Sequence, residues 1–290
     1  MTMPRQWANW SSKCPLTGAA RPTPIRSPGQ LRSLTRSPLA SLLANNPPQV
    51  RSDRNSDVRY GFILAGGLGT RLRPYTFVLP KPLIPLGNET IIERVLRSFR
   101  QAELRNVAVS LGYLGHLLEA VVGNGAKYEL NVEYTHEDEP LGTAGALGLL
   151  PFNVADDDVV LVMNGDTLTS LDLNEFLTWF EQSHADAAMA CVQREVRIDY
   201  GVVTTDVNGN LEAIAEKPSS VNLLSTGINV FRGSALRELP AGRVDMPNFL
   251  VQLAMSGKTI ACKTIDDLWM DLGRVEDLTA ANELVDRGVL

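Results

Sequence analysis

From residue 58 onward the apolar positions alternate between two textures, and that alternation predicts the elements. Short continuous apolar runs at 61–64, 107–110, 132–134 and 159–163 read as strands buried on both faces, as in a mostly parallel sheet. Between them, residues 90–101 and 115–122 carry apolar side chains at helical spacing, and Ile91, Ile92, Val95, Leu96 and Phe99 fall on one face. Strand and helix in turn make a βα repeat, so the expected fold class is α/β, a doubly wound, mostly parallel sheet. After residue 187 the pattern breaks into short β-rich runs at 187–191, 201–205, 211–215 and 227–231, with Val207-Asn208-Gly209-Asn210 as a hairpin turn. These are expected to form a β-rich half packed on the first, closed by helices at 246–256 and 275–286.

Residues 1–57 show neither period. They are rich in Pro, Ser and Arg, with short apolar clusters such as Leu39 to Leu43. That is too little apolar area to offset the entropy of ordering, so a disordered extension is expected over 1–57 and one folded domain over 58–290. Three readings of the extension stay open: an organellar transit peptide, a start codon assigned upstream of the true one, and a basic interaction tail. Mass spectrometry of the native N-terminus separates them.

Charge narrows the partners. Residues 1–52 hold seven Lys/Arg and no acid, which leaves 20 basic against 33 acidic residues in the remainder. An acidic body argues against nucleic-acid binding, so any phosphate recognition must be local. No run of 18 apolar residues occurs, and no membrane span is expected. Cys14, Cys191 and Cys262, with His116, His136 and His184, lack the spacing of a disulfide framework or a metal site and fit a reducing, cytoplasmic setting.

The local candidate is the stretch 64–86. Leu64 and Ala65 end an apolar strand, Gly66, Gly67 and Gly69 make a glycine-rich turn closed by Thr70, and Arg71, Arg73 and Lys81 follow. Bare backbone lets N–H groups approach a phosphate chain, and the cations neutralise it. The spacing fits neither a P-loop nor a dinucleotide fingerprint, whose third glycine is replaced here by Leu72. Pro80, Pro82 and Pro85 are expected to hold Lys81 on a rigid extended backbone. Further on, Asp166 ends the apolar run 159–163, and a carboxylate at a strand's carboxyl end stands at the ligand edge with a cation as its natural partner.

With these motifs the chain, from about Val58 to its C-terminus, resembles the sugar-1-phosphate nucleotidyltransferases. The resemblance implies a Rossmann-like sheet of the nucleotide-diphospho-sugar transferase type with a β-rich sugar-binding half, in a short form without a β-helix tail. It also implies an in-line attack of a sugar 1-phosphate on the α-phosphorus of a nucleoside triphosphate. By resemblance, Leu64, Ala65, Gly66, Gly67, Gly69, Thr70 and Arg71 bind the nucleotide, Arg71 facing the leaving pyrophosphate and Lys81 the α-phosphate. Gly142 and Thr143, in Pro140-Leu141-Gly142-Thr143-Ala144-Gly145, take the nucleobase side. Gly201, Glu216, Lys217, Gly227 and Trp269 take the sugar phosphate, and Asp166 with Asp271 holds Mg²⁺, which suits two hard carboxylates plus substrate phosphates.

Two departures stand out. Ser225-Thr226-Gly227-Ile228-Asn229 replaces Asn-Ala-Gly-Ile-Tyr, which puts the sugar's identity in doubt, and Asn88-Glu89-Thr90 replaces Gly-Lys-Pro before a helix. Asp245-Met246-Pro247 and the run from Trp269 to Arg274 look most like guanylyltransferases acting on mannose, heptose or glucosamine 1-phosphates. Thymidylyl- and uridylyl-transferring enzymes of glucose 1-phosphate, a cytidylyltransferase and a non-catalytic sensing subunit remain alternatives. The expected partners are the triphosphate and the sugar 1-phosphate, with a homo-oligomer left open.

Overall fold

The computed structural model describes residues 58–289, and the extension expected over 1–57 lies outside the described residues. Seven strands make the main sheet: β1 (Arg59–Ala65), β2 (Asn106–Leu111), β3 (Asn131–His136), β4 (Val159–Asn164), β5 (Ala187–Arg197), β6 (Ser219–Arg232) and β7 (Ile260–Ile265). Their order is β7-β5-β6-β4-β1-β2-β3. β1 runs parallel to β2 and β4, β2 to β3, and β5 to β7, while β6 runs antiparallel to both β4 and β5. Along β1 alternate side chains go to opposite faces. Ile63 joins Phe99, Leu161, Phe176 and Phe180 on one side, and Phe62 joins Val160, Phe231 and Phe249 on the other. Helices α1 (Ile91–Gln101) and α3 (Leu173–Ser183) cover the first face and α4 (Met246–Met255) the second, with α2 (Gly115–Val122) after β2 and α5 (Val275–Asp286) last. The doubly wound expectation holds, and α3 is an element the sequence reading did not name.

The start of α1 shows how the departure at 88–90 is absorbed. Thr90 is the N-cap: its hydroxyl accepts from the Glu93 N–H, and its own N–H donates to Glu93 Oε2 at 2.9 Å, a capping box.

A third apolar cluster lies off the sheet. Leu72, Ile84 and Leu86 from the glycine-and-cation stretch pack with Leu168, Leu272 and Leu278. Residues Thr167–Thr169 and Trp269–Asp271 form a two-stranded antiparallel pair beside it, with Asp271 opposite Thr167. This cluster fastens the loop after β1 to the two carboxylate-bearing segments.

The β-rich runs, expected as a half packed on the first, join it in one sheet. Their inner ends extend the main sheet, because the apolar run inside β6 pairs along β4 through residues 228–232. Their outer ends stand off it. β7 accompanies β5 only as far as Val192, whereas β5 and β6 stay paired out to Arg197 and Ser219. Beyond, Val202–Thr205 pairs with Leu211–Ala215, so residues 193–223 make a two-stranded arm exposed along nearly all its length.

One prediction concerns pH. The Lys127 ammonium, with the Thr90 N–H and the Tyr128 hydroxyl, outweighs burial and holds the Glu93 carboxyl down at about 2 from an ordinary 4.5. A carboxyl depressed on folding stabilises the fold above its unfolded value and loses that contribution as pH falls towards its folded one. Urea midpoints measured downward from pH 4.5 to about 2 are expected to fall, with a smaller drop over that window in Glu93→Gln.

Candidate functional site

The chain leaves β1 to lay β2 on one side and later returns to lay β4 on the other, so the carboxyl ends of β1 and β4 open into a crevice. A cavity of about 470 Å³ lies there. One wall is the loop after β1: Leu64, Ala65, Gly66, Gly67, Gly69, Thr70 and Arg71 all face it. Arg71 has no ion pair among the described residues, and its guanidinium is free for an anion.

The floor is a charge cluster. Lys81 is not on an extended segment as expected: Pro80 is extended, but Lys81–Leu83 closes into a 3₁₀ turn, which Pro82 fits because its fixed φ is already helical. The turn aims the ammonium at Asp166 Oδ2, to which it is hydrogen-bonded, and 3.4 Å from Asp271 Oδ1. The Lys81 side chain is 11% exposed against 53% for Asp271, so the lysine sits beneath the carboxylates and Asp271 opens to the cavity. The pair Thr167–Thr169 and Trp269–Asp271, with the Leu272 N–H donating to Asp166 O at 3.2 Å, joins carboxylates that are far apart in the chain. No group of three or more His, Cys, Asp or Glu able to hold a metal occurs among the described residues. Two carboxylates of hard oxygen, incomplete by themselves, are a donor set that fits a Mg²⁺ completed by phosphates and water.

The opposite wall carries Gly142 and Thr143. Gly142 has φ +76°, and a Cβ there would lie 2.6 Å from Val244 O, so bare backbone is required where this segment meets residues 244–246. Thr143 Oγ1 accepts from the Met246 N–H at 2.7 Å. Two carboxylates also line the cavity: Glu137, which the sequence reading did not name, and Asp245, which it named only within Asp245-Met246-Pro247. Glu137 is held from both sides: Oε1 accepts from the Ser110 hydroxyl at 2.9 Å, and Oε2 from the Leu141 N–H at 2.8 Å. The signal that could have found it is its place just after β3, at the same carboxyl edge as Asp166.

The residues expected on the sugar side are not gathered onto this cavity. Gly201, Glu216 and Lys217 lie on the exposed arm, where Glu216 Oε2 comes within 3.3 Å of a Cβ placed on Gly201 and Lys217 has φ +44°. Gly227 (φ +77°) sits in an irregularity of β6, and a Cβ there would strike Asn164, which does line the cavity. Trp269 is an anchor: its Nε1–H donates to Thr226 O at 2.8 Å, and the Arg194 guanidinium lies 5.4 Å over its ring. Asn229, which stands where the resembling family carries Tyr, is buried, and its Oδ1 has no hydrogen-bond partner among the described residues.

Removing the shared cation leaves two carboxylates facing each other. Lys81→Met is expected to lower stability to urea by about 1–2 kcal/mol at neutral pH, because the site is partly solvated. Adding Asp166→Asn should recover part of it.

A family model described as nucleotidyl transferase matches residues 60–288. The chain is 32% identical over 246 residues to a UTP–glucose-1-phosphate uridylyltransferase of Synechocystis sp., covering 79% of this chain and 62% of the relative. It is 30% identical over 235 residues to a mannose-1-phosphate guanylyltransferase of Mycobacterium tuberculosis, covering 78% and 64%. The chain thus spans less than two thirds of the length of these curated relatives. Among solved structures, HddC from Yersinia pseudotuberculosis, complexed with GMP-PN, superposes with a TM-score of 0.60 at 23% identity, over 79% of this chain and 99% of that one, a likeness of fold.

Proposed function

The chain belongs to the nucleotidyl transferase family, and on that premise we propose that it transfers a nucleoside monophosphate from a triphosphate to a sugar 1-phosphate, releasing pyrophosphate. The observation that carries the reading is the Lys81 ammonium held against Asp166 and Asp271 at the foot of the glycine loop, with an unpaired Arg71 beside it. The attacking phosphate oxygen is already an anion, so the reaction needs no general base. It needs two anions aligned and their charge neutralised. Gly66, Gly67 and Gly69 present backbone to the triphosphate, Arg71 takes charge developing on the departing pyrophosphate, and Lys81 turns from the carboxylates to the α-phosphate. Asp166 and Asp271 would hold Mg²⁺, which when bound supplies further charge neutralisation to the phosphates. Glu216 and Lys217, on the arm, are assigned to the sugar phosphate by resemblance.

Glu137 favours guanine as the base. Its carboxylate is fixed by Ser110 and Leu141, and each oxygen keeps lone pairs for further donors. Guanine alone offers two adjacent donors on one edge, N1–H and the 2-amino group, whereas the N3–H of uracil or thymine lies between two carbonyls that a carboxylate repels. The proposed product is therefore a GDP-sugar, with mannose 1-phosphate the leading acceptor on the likeness to the mycobacterial guanylyltransferase. The cyanobacterial relative named as a uridylyltransferase supports a second reading, a UDP- or dTDP-glucose product.

A pyrophosphate-release screen of nucleoside triphosphates against sugar 1-phosphates tests this. GTP is expected to lead by roughly 10–100-fold, the range of one bidentate base contact, and Glu137→Gln to erase the preference while leaving turnover. Arg71→Ala and Asp166→Asn should each lower the rate by about 10²–10³-fold. No turnover with any pair by the folded protein would point to a sensing subunit.

A further inference from the structure

β7 leaves β5 at Ile265, which stands opposite Val192, and the chain next pairs at Trp269, in the short strand that carries Asp271. Across that gap a side chain takes over from strand pairing. Arg194, two residues beyond Val192 at the root of the arm, donates from Nη2 to Trp269 O at 3.3 Å and lays its guanidinium 5.4 Å over the indole ring. Trp269 in turn donates its Nε1–H to Thr226 O at 2.8 Å, and the buried Thr226 is bound through its own hydroxyl to Ala190 O of β5. The indole is thus held between the arm and the irregular stretch of β6.

At an exposed position such a contact adds little to stability. Its consequence is directional. Side chains two apart in a strand share a face, so fixing the indole of Trp269 fixes the direction in which Asp271 leaves the same strand. Asp271 needs this more than Asp166 does. Asp166 is hydrogen-bonded to the Lys81 ammonium with 27% of its side chain exposed, whereas Asp271 is 53% exposed and lies 3.4 Å from that ammonium. The Asp271 strand is tied to residues 166–170, where the Leu268 N–H donates to Ser170 Oγ and the Leu272 N–H to Asp166 O. Arg194 and Thr226 hold it, through Trp269, from the arm and from β6.

We propose that Arg194 is a positioning residue that sets the direction of the Asp271 carboxylate through Trp269, and so couples the seating of the arm to the divalent-cation affinity of Asp166 and Asp271. That role rests on the nucleotidyl-transfer reading of Asp271 and of the arm. The coupling is reciprocal: a sugar 1-phosphate that seats the arm raises the affinity for the cation by the factor by which the cation raises the affinity for the sugar phosphate. Arg194→Leu in the full chain removes the guanidinium and keeps an apolar side chain. Hydrogen exchange at the amides of 268–272 is expected to quicken in this variant while that of β1 and β4 does not change. Mg²⁺ with mannose 1-phosphate should slow exchange at 268–272 in the unaltered chain but not in the variant. In turnover with the best substrate pair, half-saturating Mg²⁺ should rise about 2–5-fold, the worth of one exposed cation–π contact, and KM for the triphosphate should stay where it was. Arg194→Lys, which keeps the charge but loses the flat fork, should fall between the two. Urea midpoints report whether each variant is folded. Unaltered exchange at 268–272 together with an unaltered Mg²⁺ requirement overturns the proposal. A fall in kcat alone, with the Mg²⁺ requirement unmoved, overturns it equally, because Arg194 then meets the substrate directly. If no pair turns over, quickened exchange at 268–272 in Arg194→Leu still supports the coupling, and only the reaction reading falls.

Discussion

Two carboxylates share one ammonium at the carboxyl edge of the sheet, and the charge balance of that edge depends on this contact. Asp166 and Asp271 repel each other, and without a cation they would be driven apart into water. Lys81 compensates only part of their charge, so the cluster stays one positive charge short of neutral. A site built this way is loose with regard to its occupants and strict with regard to its geometry, since all three side chains must arrive from different parts of the chain.

What brings them together is apolar packing away from the charges. Leu72, Ile84 and Leu86 lock the loop after β1 against Leu168 and Leu272, the neighbours of the two carboxylate segments. The short pairing of Thr167–Thr169 with Trp269–Asp271 then sets the distance between the carboxylates, and Trp269 pins its outer end to Thr226. The main sheet contributes direction. Because β1 and β4 are parallel neighbours at the point where the strand order reverses, the glycine loop and Asp166 emerge at the same edge.

The arm follows a different logic. Within the sheet β5 and β6 are buried by their neighbours, but beyond Val192 no strand among the described residues pairs with β5 on its other side. Glu216 and Lys217, proposed for the sugar phosphate, therefore ride on a ribbon with little packing of its own.

Much of this was legible in the residues. The βα alternation was read correctly as an α/β sheet, and the resemblance carried by the glycine-and-cation loop and Asp166 is borne out by the family match over 60–288; the fold brings that loop, Asp166 and Asp271 to one edge. Glu137 escaped because a lone carboxylate outside a periodic run carries no local signal, and Asp245 was legible as part of a motif but not as a site residue; only the folded wall shows that both face the cavity. Lys217 was legible as a motif but not as a position, since the arm's reach depends on which strands stop beside it. The sequence by itself determined what is local: period, turn chemistry and the order of charges along the chain. Tertiary structure decided what is not. Lys81, Asp166 and Asp271 meet, and residues 193–198 are left with a bare edge, because packing between distant segments sets those distances.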